Sequence, residues 1–252
     1  MVRNNHFTEN RKTLDKLLRT ENQCGECVPL SDILDHARFL SRIENVLVVV
    51  SDITGGKSHI VAGGFARNLD IGDYQQENSI WENRILSLMS ADEQEEKYIA
   101  ELRFFHYLRH LPNSKKSDYY LISRLRFRFV DGKIHDVLHR MYYIYDDSGD
   151  NVRYAICTYG PLSFDFKGKS FVANSVTGLT EELTASGNST ILSRRECQVL
   201  MMIDSGMKSA EIARQLNISI HTVSRHRQEI IGKLQVKNTH EACRIAKSMG
   251  ML

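Results

Sequence analysis

Four short helical segments follow one another in the last quarter of the chain, and their start and stop signals limit how this part can fold. Ser193, followed three residues later by Glu196, predicts a capping box at the start of the first segment. Gly206 ends that segment and Asn217 interrupts the second. Ser219 is predicted to cap the third. This layout, with a tight turn before the third helix, is typical of a helix-turn-helix module.

Apolar residues recur within these segments at the spacing of one helix face. The inward residues are predicted to be Val199, Leu200, Ile203, Ile212, Ala213, Leu216, Val223, His226, Ile230, Leu234, Ala242, Ile245 and Ala246.

The outer face of the third segment carries side chains that form hydrogen bonds, namely His221, Thr222, Ser224, Arg225 and Gln228. In a helix-turn-helix module the second helix rests on the DNA backbone and the third enters the major groove. An ordinary solvated helix face has the same composition, so these side chains alone leave both interpretations open.

Charge is distributed unevenly along the chain, although the net charge is only +2. From Leu192 to Leu252, ten Lys and Arg residues face five Asp and Glu residues, whereas the preceding part holds 23 basic and 26 acidic residues. A basic segment on a mildly acidic body favours a polyanionic partner, and a chance fluctuation of surface charge is the alternative.

The segment resembles the LuxR-type, or FixJ-type, DNA-binding domain. The matching stretches are Leu192-Ser193-x-Arg195-Glu196, Glu211-Ile212-Ala213-x-x-Leu216-x-Ile218-Ser219, Thr222-Val223-x-x-His226, Ile230, Lys233-Leu234, Val236, Glu241-Ala242 and Gly250. The resemblance implies sequence-specific binding to double-stranded DNA by a homodimer. It places the third helix in the major groove and the fourth helix at the dimer contact.

This resemblance assigns a set of DNA-binding residues. They are Ser209, His221, Thr222, Ser224, Arg225, Gln228, Lys233 and Lys237. Arg225 and Gln228 lie one turn apart and are predicted to reach base edges, because both project from the outward face. The two lysines are expected to contact phosphate or remain solvated.

Three positions depart from the family pattern. Lys208 stands where Ser or Thr is usual, so Ser209 is predicted to cap the second helix instead. Ser224 replaces a lysine and Thr239 replaces an arginine, which makes the target sequence harder to predict. The dimer contact is predicted at Ala242, Ile245 and Met249.

The preceding part of the chain mixes helical and strand patterns. Helices are predicted over 30–44, around 80–88 and from the cap at Ser90 to Leu111, and strands over 46–53, 58–63, 124–129, 137–145 and 152–159. The last three strands form an antiparallel meander, because Asp131-Gly132 and residues 147–150 are turn signals. The predicted fold class is α+β, an antiparallel sheet with helices followed by an all-α four-helix domain.

This order of elements resembles a PAS domain, a sensory fold with a five-stranded antiparallel sheet and helices across one face. The best stretch is Asp131-Gly132-Lys133 followed by Val137-Leu138-His139-Arg140. A phosphoacceptor receiver domain would need alternating strands and helices, which the meander does not provide, although Asp52 follows a strand. The Trp/Tyr/Asp pattern of acyl-homoserine-lactone binding domains is not found around Trp81.

Residues 1–177 are therefore predicted to form a PAS-like sensory domain, residues 178–191 a linker, and residues 192–252 the DNA-binding domain. A ligand cavity is expected between the Ser90–His110 helix and the sheet residues Leu125, Phe127, Met141, Ile144 and Ile156, and a filled core is the alternative. No enzyme signature is found and no cofactor or metal is predicted. An enzyme, or an interaction module that recruits RNA polymerase, remains the alternative to a ligand sensor.

Three further groups of residues have side chains suited to chemical sites. Cys24-x-x-Cys27 lacks a second ligand pair for zinc, and His135 and His139 would lie about 13 Å apart on one strand. Arg124, Arg126 and Arg128 form a basic row that suits phosphate or a solvated strand face. Five cysteines and the lack of a long apolar run or an apolar leader favour a reduced, cytoplasmic protein without membrane contact.

Overall fold

The structure, a computed structural model, describes residues 11–12, 14–15, 17–18, 27–164, 167–183, 192–234, 236, 238–248 and 251–252. The chain divides into two compact units. The N-terminal unit comprises Met1–Glu101 and Leu111–Glu182, and the C-terminal unit comprises Leu102–His110 and Leu183–Leu252.

The described part of the N-terminal unit contains eight strands in one sheet, all of whose paired neighbours are antiparallel. The strands are β1 Leu47–Asp52, β2 Lys57–Val61, β3 Gln76–Glu77, β4 Tyr119–Arg128, β5 Ile134–Tyr145, β6 Val152–Pro161, β7 Ser170–Asn174 and β8 Thr180–Glu182. Their order across the sheet is β3-β2-β1-β6-β5-β4-β7-β8. The predicted α+β class is confirmed.

Helices of the first part of the chain include α1 Leu30–Ile43, α2 Asn83–Leu86, α3 Ala91–Arg109 and α4 Asn113–Lys116, and a 3₁₀ turn lies at Gly64–Asn68. Ser90 starts α3 as predicted, because its hydroxyl accepts a hydrogen bond from the backbone N–H of Glu93 at 3.2 Å. The predicted helix over 80–88 is shorter than expected and is reduced to α2.

Strand β1 is buried along its whole length, which explains its run of valines. Val48 and Val50 pack against Ile33 and Ala37 of α1, together with Tyr154. The other face of β1 points into the opposite layer of the unit, because successive side chains alternate between the two faces.

Because of this alternation, the ligand cavity cannot have the lining that the sequence predicts. Met141 lies beside Leu121 and Cys157 of the neighbouring strands on one face of the sheet. Ile144 and Ile156 pack with α1 on the other face. The residues predicted to line one cavity therefore divide between two faces of the sheet. The structure instead has a small cavity of about 20 Å³ beside Met141, lined also by Tyr143 and Cys157.

The predicted linker is also too long at its N-terminal end. Thr180–Glu182 is strand β8, in which Glu181 pairs with Val172 of β7. This short polar strand was missed because its pattern is that of a loop, and only pairing with β7 makes it a strand. The remainder of the predicted linker, residues 184–191, lies outside the described residues.

The C-terminal unit contains helices α5 Arg194–Asp204, α6 Ser209–Leu216, α7 Ile220–Leu234 and α8 Thr239–Ser248. Its core consists of Leu192, Val199, Leu200, Ile212, Ala213, Val223, Ile230, Leu234, Val236, Ala242, Ile245 and Ala246, each no more than 9% exposed. The four predicted helices are present, and their predicted apolar faces meet. No helix within the described ranges is both long and apolar enough to cross a membrane.

Candidate nucleic-acid interface

The C-terminal unit begins with the predicted capping box. The Ser193 hydroxyl accepts a hydrogen bond from the backbone N–H of Glu196 at 3.3 Å, and the Glu196 carboxylate accepts one from the backbone N–H of Ser193 at 2.6 Å. Two otherwise unpaired N–H groups of the helix terminus are thereby satisfied. Helix α5 therefore starts at a fixed point of the chain.

The same carboxylate binds Lys233 of α7. The lysine Nζ lies 2.8 Å from the Glu196 Oε2, and the Glu196 side chain is 2% exposed. Burial raises the pKa of Glu196, but the hydrogen bonds from Lys233 and Ser193 outweigh it and hold that pKa below its ordinary value. Lys233 thereby joins α7 to α5, and its side chain remains 41% exposed. Its predicted contact with phosphate stays a prediction.

A tight turn separates α6 from α7, as predicted. Asn217 adopts the left-handed conformation with φ of 51°, which asparagine tolerates better than most residues. The backbone N–H of Ile218 donates to the Ala213 carbonyl at 3.0 Å, and Arg195 donates to the Leu216 carbonyl at 2.8 Å. The turn is thus held from both sides, which fixes the direction of α7.

Helix α7 starts at the predicted cap. The Ser219 hydroxyl accepts from the backbone N–H of Thr222 at 3.0 Å and lies 2.9 Å from the Thr222 hydroxyl. Thr222 is half-buried. Its hydroxyl therefore belongs to the cap as well as to the predicted DNA-binding set.

The outward face of α7 carries four of the predicted DNA-binding residues, all exposed: His221, Ser224, Arg225 and Gln228. Their spacing of three, four and seven residues places them on one side of the helix. Arg225 is 73% exposed and forms an ion pair with Glu229 at 2.9 Å. Such a surface pair is worth only about 0.3–0.5 kcal/mol, so it does not hold the guanidinium back from another partner.

Ser209 lies at the start of α6 but does not cap it. The cap position belongs to Lys208, whose backbone N–H donates to the Glu211 carboxylate at 2.6 Å. The Ser209 hydroxyl accepts from Arg227 at 3.0 Å, and the same guanidinium donates to Thr239 at 2.9 Å. Sequence reasoning missed Arg227, because its spacing on α7 resembles that of any half-buried polar residue.

Ala242 and Ile245 of α8 are 0% and 1% exposed within the unit itself. Two of the three residues predicted to make the dimer contact therefore lie in the core rather than on the surface, because the apolar face of α8 packs against the other helices. Met249 lies outside the described residues, as does Lys237 of the predicted DNA-binding set. Homodimerisation stays a prediction.

Acidic residues of the C-terminal unit are engaged within the unit. Glu196, Glu229, Glu241 and Asp204 form ion pairs, and Glu211 accepts from the start of α6. Arg194, Lys208 and Arg214 are exposed and have no ion pair in the described part of the chain. This leaves an excess of positive charge on the helix-turn-helix surface, as the sequence count indicated.

Two arginines of the basic row of β4 form ion pairs within the protein. Arg124 pairs with Asp136 at 2.6 Å and Arg126 with Glu93 at 3.2 Å. His135 lies 3.0 Å from the Asp131 carboxylate. Cys27 is half-buried, and its predicted companion Cys24 lies outside the described residues.

These helices, their caps and the tight turn before α7 define a helix-turn-helix domain. Residues 190–246 match the family described as bacterial regulatory proteins, luxR family, also named GerE. The C-terminal end of the chain thus carries a luxR-family helix-turn-helix domain.

Two curated relatives are similar over the same end of the chain. The transcriptional regulatory protein RcsB of Escherichia coli strain K12 is 40% identical over 73 residues, which are 29% of this chain and 34% of RcsB. The oxygen regulatory protein NreC of Staphylococcus aureus strain JH9 is 31% identical over 97 residues, 34% of this chain and 45% of NreC. The chain spans only about a third of the length of RcsB.

Among solved structures, the phage VqmA–DPO complex aligns over 88% of this chain and 90% of that chain, with 14% identity and a TM-score of 0.33. A score of this size does not establish a shared fold for the whole chain.

Proposed function

We propose that this protein is a sequence-specific DNA-binding transcription regulator that acts as a homodimer in the cytoplasm. The observation that carries the proposal is the outward face of α7, which presents His221, Ser224, Arg225 and Gln228 from a helix-turn-helix domain. A helix held in this way fits the major groove.

The surrounding charge supports this function. Lys208 lies at the start of α6, and Arg214 lies on the same helix. In helix-turn-helix proteins the helix before the turn crosses the backbone, where positive side chains contact phosphate. The uncompensated basic residues therefore suit backbone contacts, whereas Arg225 and Gln228 suit base edges.

The N-terminal unit is proposed to be a PAS-like sensor that biases DNA binding and catalyses no reaction. Support comes from the five adjacent antiparallel strands β2-β1-β6-β5-β4 and from the start of α3, where Glu93 contacts β4. A ligand that binds one arrangement of the protein more tightly would shift its equilibrium towards that arrangement. Recruitment of RNA polymerase through this unit is the competing proposal.

Arg225→Ala is expected to weaken binding to the preferred site by about 1–3 kcal/mol and to relax the base preference at one position. The physical reason is that Arg225 is exposed on the outward face of α7 and is the longest of its donors. The measurement is selection of bound duplexes from a random library, followed by titration of the preferred and scrambled sites with the full chain.

Arg244→Ala is the matched control, because Arg244 is also an exposed arginine but lies on α8. It should leave the base preference unchanged. An equal loss on all sequences with Arg225→Ala would assign this residue to the phosphate backbone instead.

A further inference from the structure

A cluster of ionisable side chains is buried in the N-terminal unit between α3 and the sheet. Lys97 of α3 lies 2.5 Å from the Glu101 Oε1 and 3.5 Å from the Glu82 Oε1, and each of these side chains is at most 4% exposed. Glu82 also accepts a hydrogen bond from the Tyr159 hydroxyl at 2.6 Å. Buried charges of this kind are costly unless they are compensated.

His139 of β5 is fully buried beside this cluster, and within the described part of the chain neither of its ring nitrogens has a hydrogen-bond partner. Its ring stacks on Tyr159, with the centroids 4.9 Å apart. A buried ring whose nitrogens meet no donor or acceptor among the described residues has a ring nitrogen available to bind a metal ion, for which neutral imidazole is a common ligand.

Cys157 of β6 completes the arrangement. Met141 pairs directly with Cys157, so His139, two residues earlier on the same face, lies diagonally across from it. A carboxylate oxygen of Glu101, a ring nitrogen of His139 and the sulfur of Cys157 all lie within 4.8 Å of one another. Ligands around a tetrahedral zinc ion are about 3.5 Å apart, so only small side-chain shifts separate this geometry from coordination.

We propose that Glu101, His139 and Cys157 bind a divalent transition-metal ion, with Zn²⁺ as the best fit. A thiolate, an imidazole and a carboxylate form a donor set typical of zinc, whereas Mg²⁺ and Ca²⁺ take oxygen ligands. Glu101 and Cys157 also line the cavity of about 20 Å³, which has room for one water molecule as the fourth ligand.

The charged groups around the site suit a dication. The carboxyl groups of Glu82 and Glu101 share a single lysine, Lys97. Cys157 would bind as a thiolate, so metal binding would release its proton to solvent.

Lys97 is compatible with this site as a positioning residue. A carboxylate has two oxygens, so Glu101 can accept from Lys97 with one and coordinate with the other. Ligating carboxylates are commonly hydrogen-bonded in this way. The metal site does not depend on DNA binding by the C-terminal unit, and the two assignments can fail separately.

The test uses the full chain, stripped with a chelator and titrated with Co²⁺ and Zn²⁺. One equivalent of Co²⁺ per chain is expected, with a near-ultraviolet thiolate-to-cobalt charge-transfer band that Zn²⁺ displaces. Cys157→Ser should abolish the band. His139→Gln should weaken Zn²⁺ binding by more than the about 10–100-fold that loss of an outer-shell partner costs.

Cys197→Ser and Cys27→Ser are the matched controls, because both remove a thiol outside the cluster, and both should keep the band. The proposal is overturned if the wild-type chain binds no stoichiometric metal, or if its cobalt spectrum lacks the thiolate band. It is also overturned if the band survives Cys157→Ser. If Cys157→Ser fails to fold, the two control variants still test the assignment, because loss of the band with either of them would assign it to a thiol outside the cluster.

Discussion

Ala242→Asp is expected to destabilise the C-terminal unit strongly and to weaken DNA binding with it. Ala242 is completely buried on α8, where the neighbouring core residues are apolar. A carboxylate placed there without a partner costs on the order of 3–5 kcal/mol. Small domains have a free energy of unfolding of about 5–15 kcal/mol, so this single change removes a large share of it.

The single tryptophan of the chain allows the two units to be followed separately. Trp81 is buried in the N-terminal unit. In urea, Ala242→Asp should lose part of its far-ultraviolet helical signal at a much lower concentration than the wild-type chain. The Trp81 fluorescence transition should stay where it is.

His240→Asp is the matched control, because His240 is an exposed residue of the same helix. It should unfold like the wild-type chain. If the helical signal of Ala242→Asp were lost at the same urea concentration as that of the wild-type chain, residue 242 would lie on the surface. That is the position required by the dimer contact predicted from the sequence.

Lys97→Met is expected to lower the free energy of unfolding of the N-terminal unit by about 3–5 kcal/mol in the metal-free protein. Removal of one partner of a buried pair leaves the other charge uncompensated, and here two carboxylates lose their cation. Burial lowers the pKa of Lys97, but Glu101 and Glu82 raise it by more, so the group is charged in the folded chain. Trp81 fluorescence in urea is the measurement, since Trp81 packs on Tyr98 with ring centroids 5.2 Å apart.

Lys169→Met is the comparison, because Lys169 forms an ion pair with Glu96 on the surface of the same unit and is 62% exposed. Its expected cost is at most about 1 kcal/mol. The double variant Lys97→Met/Glu101→Gln should recover part of the loss of Lys97→Met, because one buried charge is removed. If Lys97→Met and Lys169→Met lowered the free energy of unfolding by the same small amount, this would contradict a charged Lys97 paired with buried carboxylates.

The C-terminal fold was predictable because its determinants are local. Ser193 and Glu196 form the capping box that their spacing predicts, and Asn217 adopts the turn at which the helical pattern breaks. Residues three or four positions apart lie on the same face of a helix, so the sequence alone shows which side chains share a face. The exposed residues of α7 were predictable from the same spacing.

Residue spacing shows which side chains share one face of a helix, but it does not show what that face contacts. The apolar positions Ala242 and Ile245 are compatible with a core or with a dimer contact, and burial within the unit decides for the core. Lys233 likewise has the sequence context of a phosphate contact. Its pairing with Glu196, 37 residues earlier, becomes visible only when α5 and α7 pack.

The buried cluster of the N-terminal unit was not predictable from spacing. The sequence places His139 near His135, four residues away on the same strand, whereas in the structure its neighbours in the cluster come from α3 and β6. Sheet register brings Cys157 close, and the packing of α3 brings Glu101. Strand alternation also divides Met141 and Ile144 between two faces, which the assumption of one cavity overlooked.

The most direct test of DNA binding is the salt dependence of the affinity of the full chain for duplex DNA. Neutralisation of phosphates by the exposed basic residues releases counterions, so the logarithm of the association constant should fall linearly with the logarithm of salt concentration. From about 50 mM to about 200 mM salt the affinity should fall at least about tenfold, which corresponds to two or more phosphate contacts. Lys208→Ala and Arg214→Ala should each reduce the slope by about one. Absence of binding at the lowest salt, or an affinity that does not change with salt, would contradict the assignment of this protein as a DNA-binding regulator.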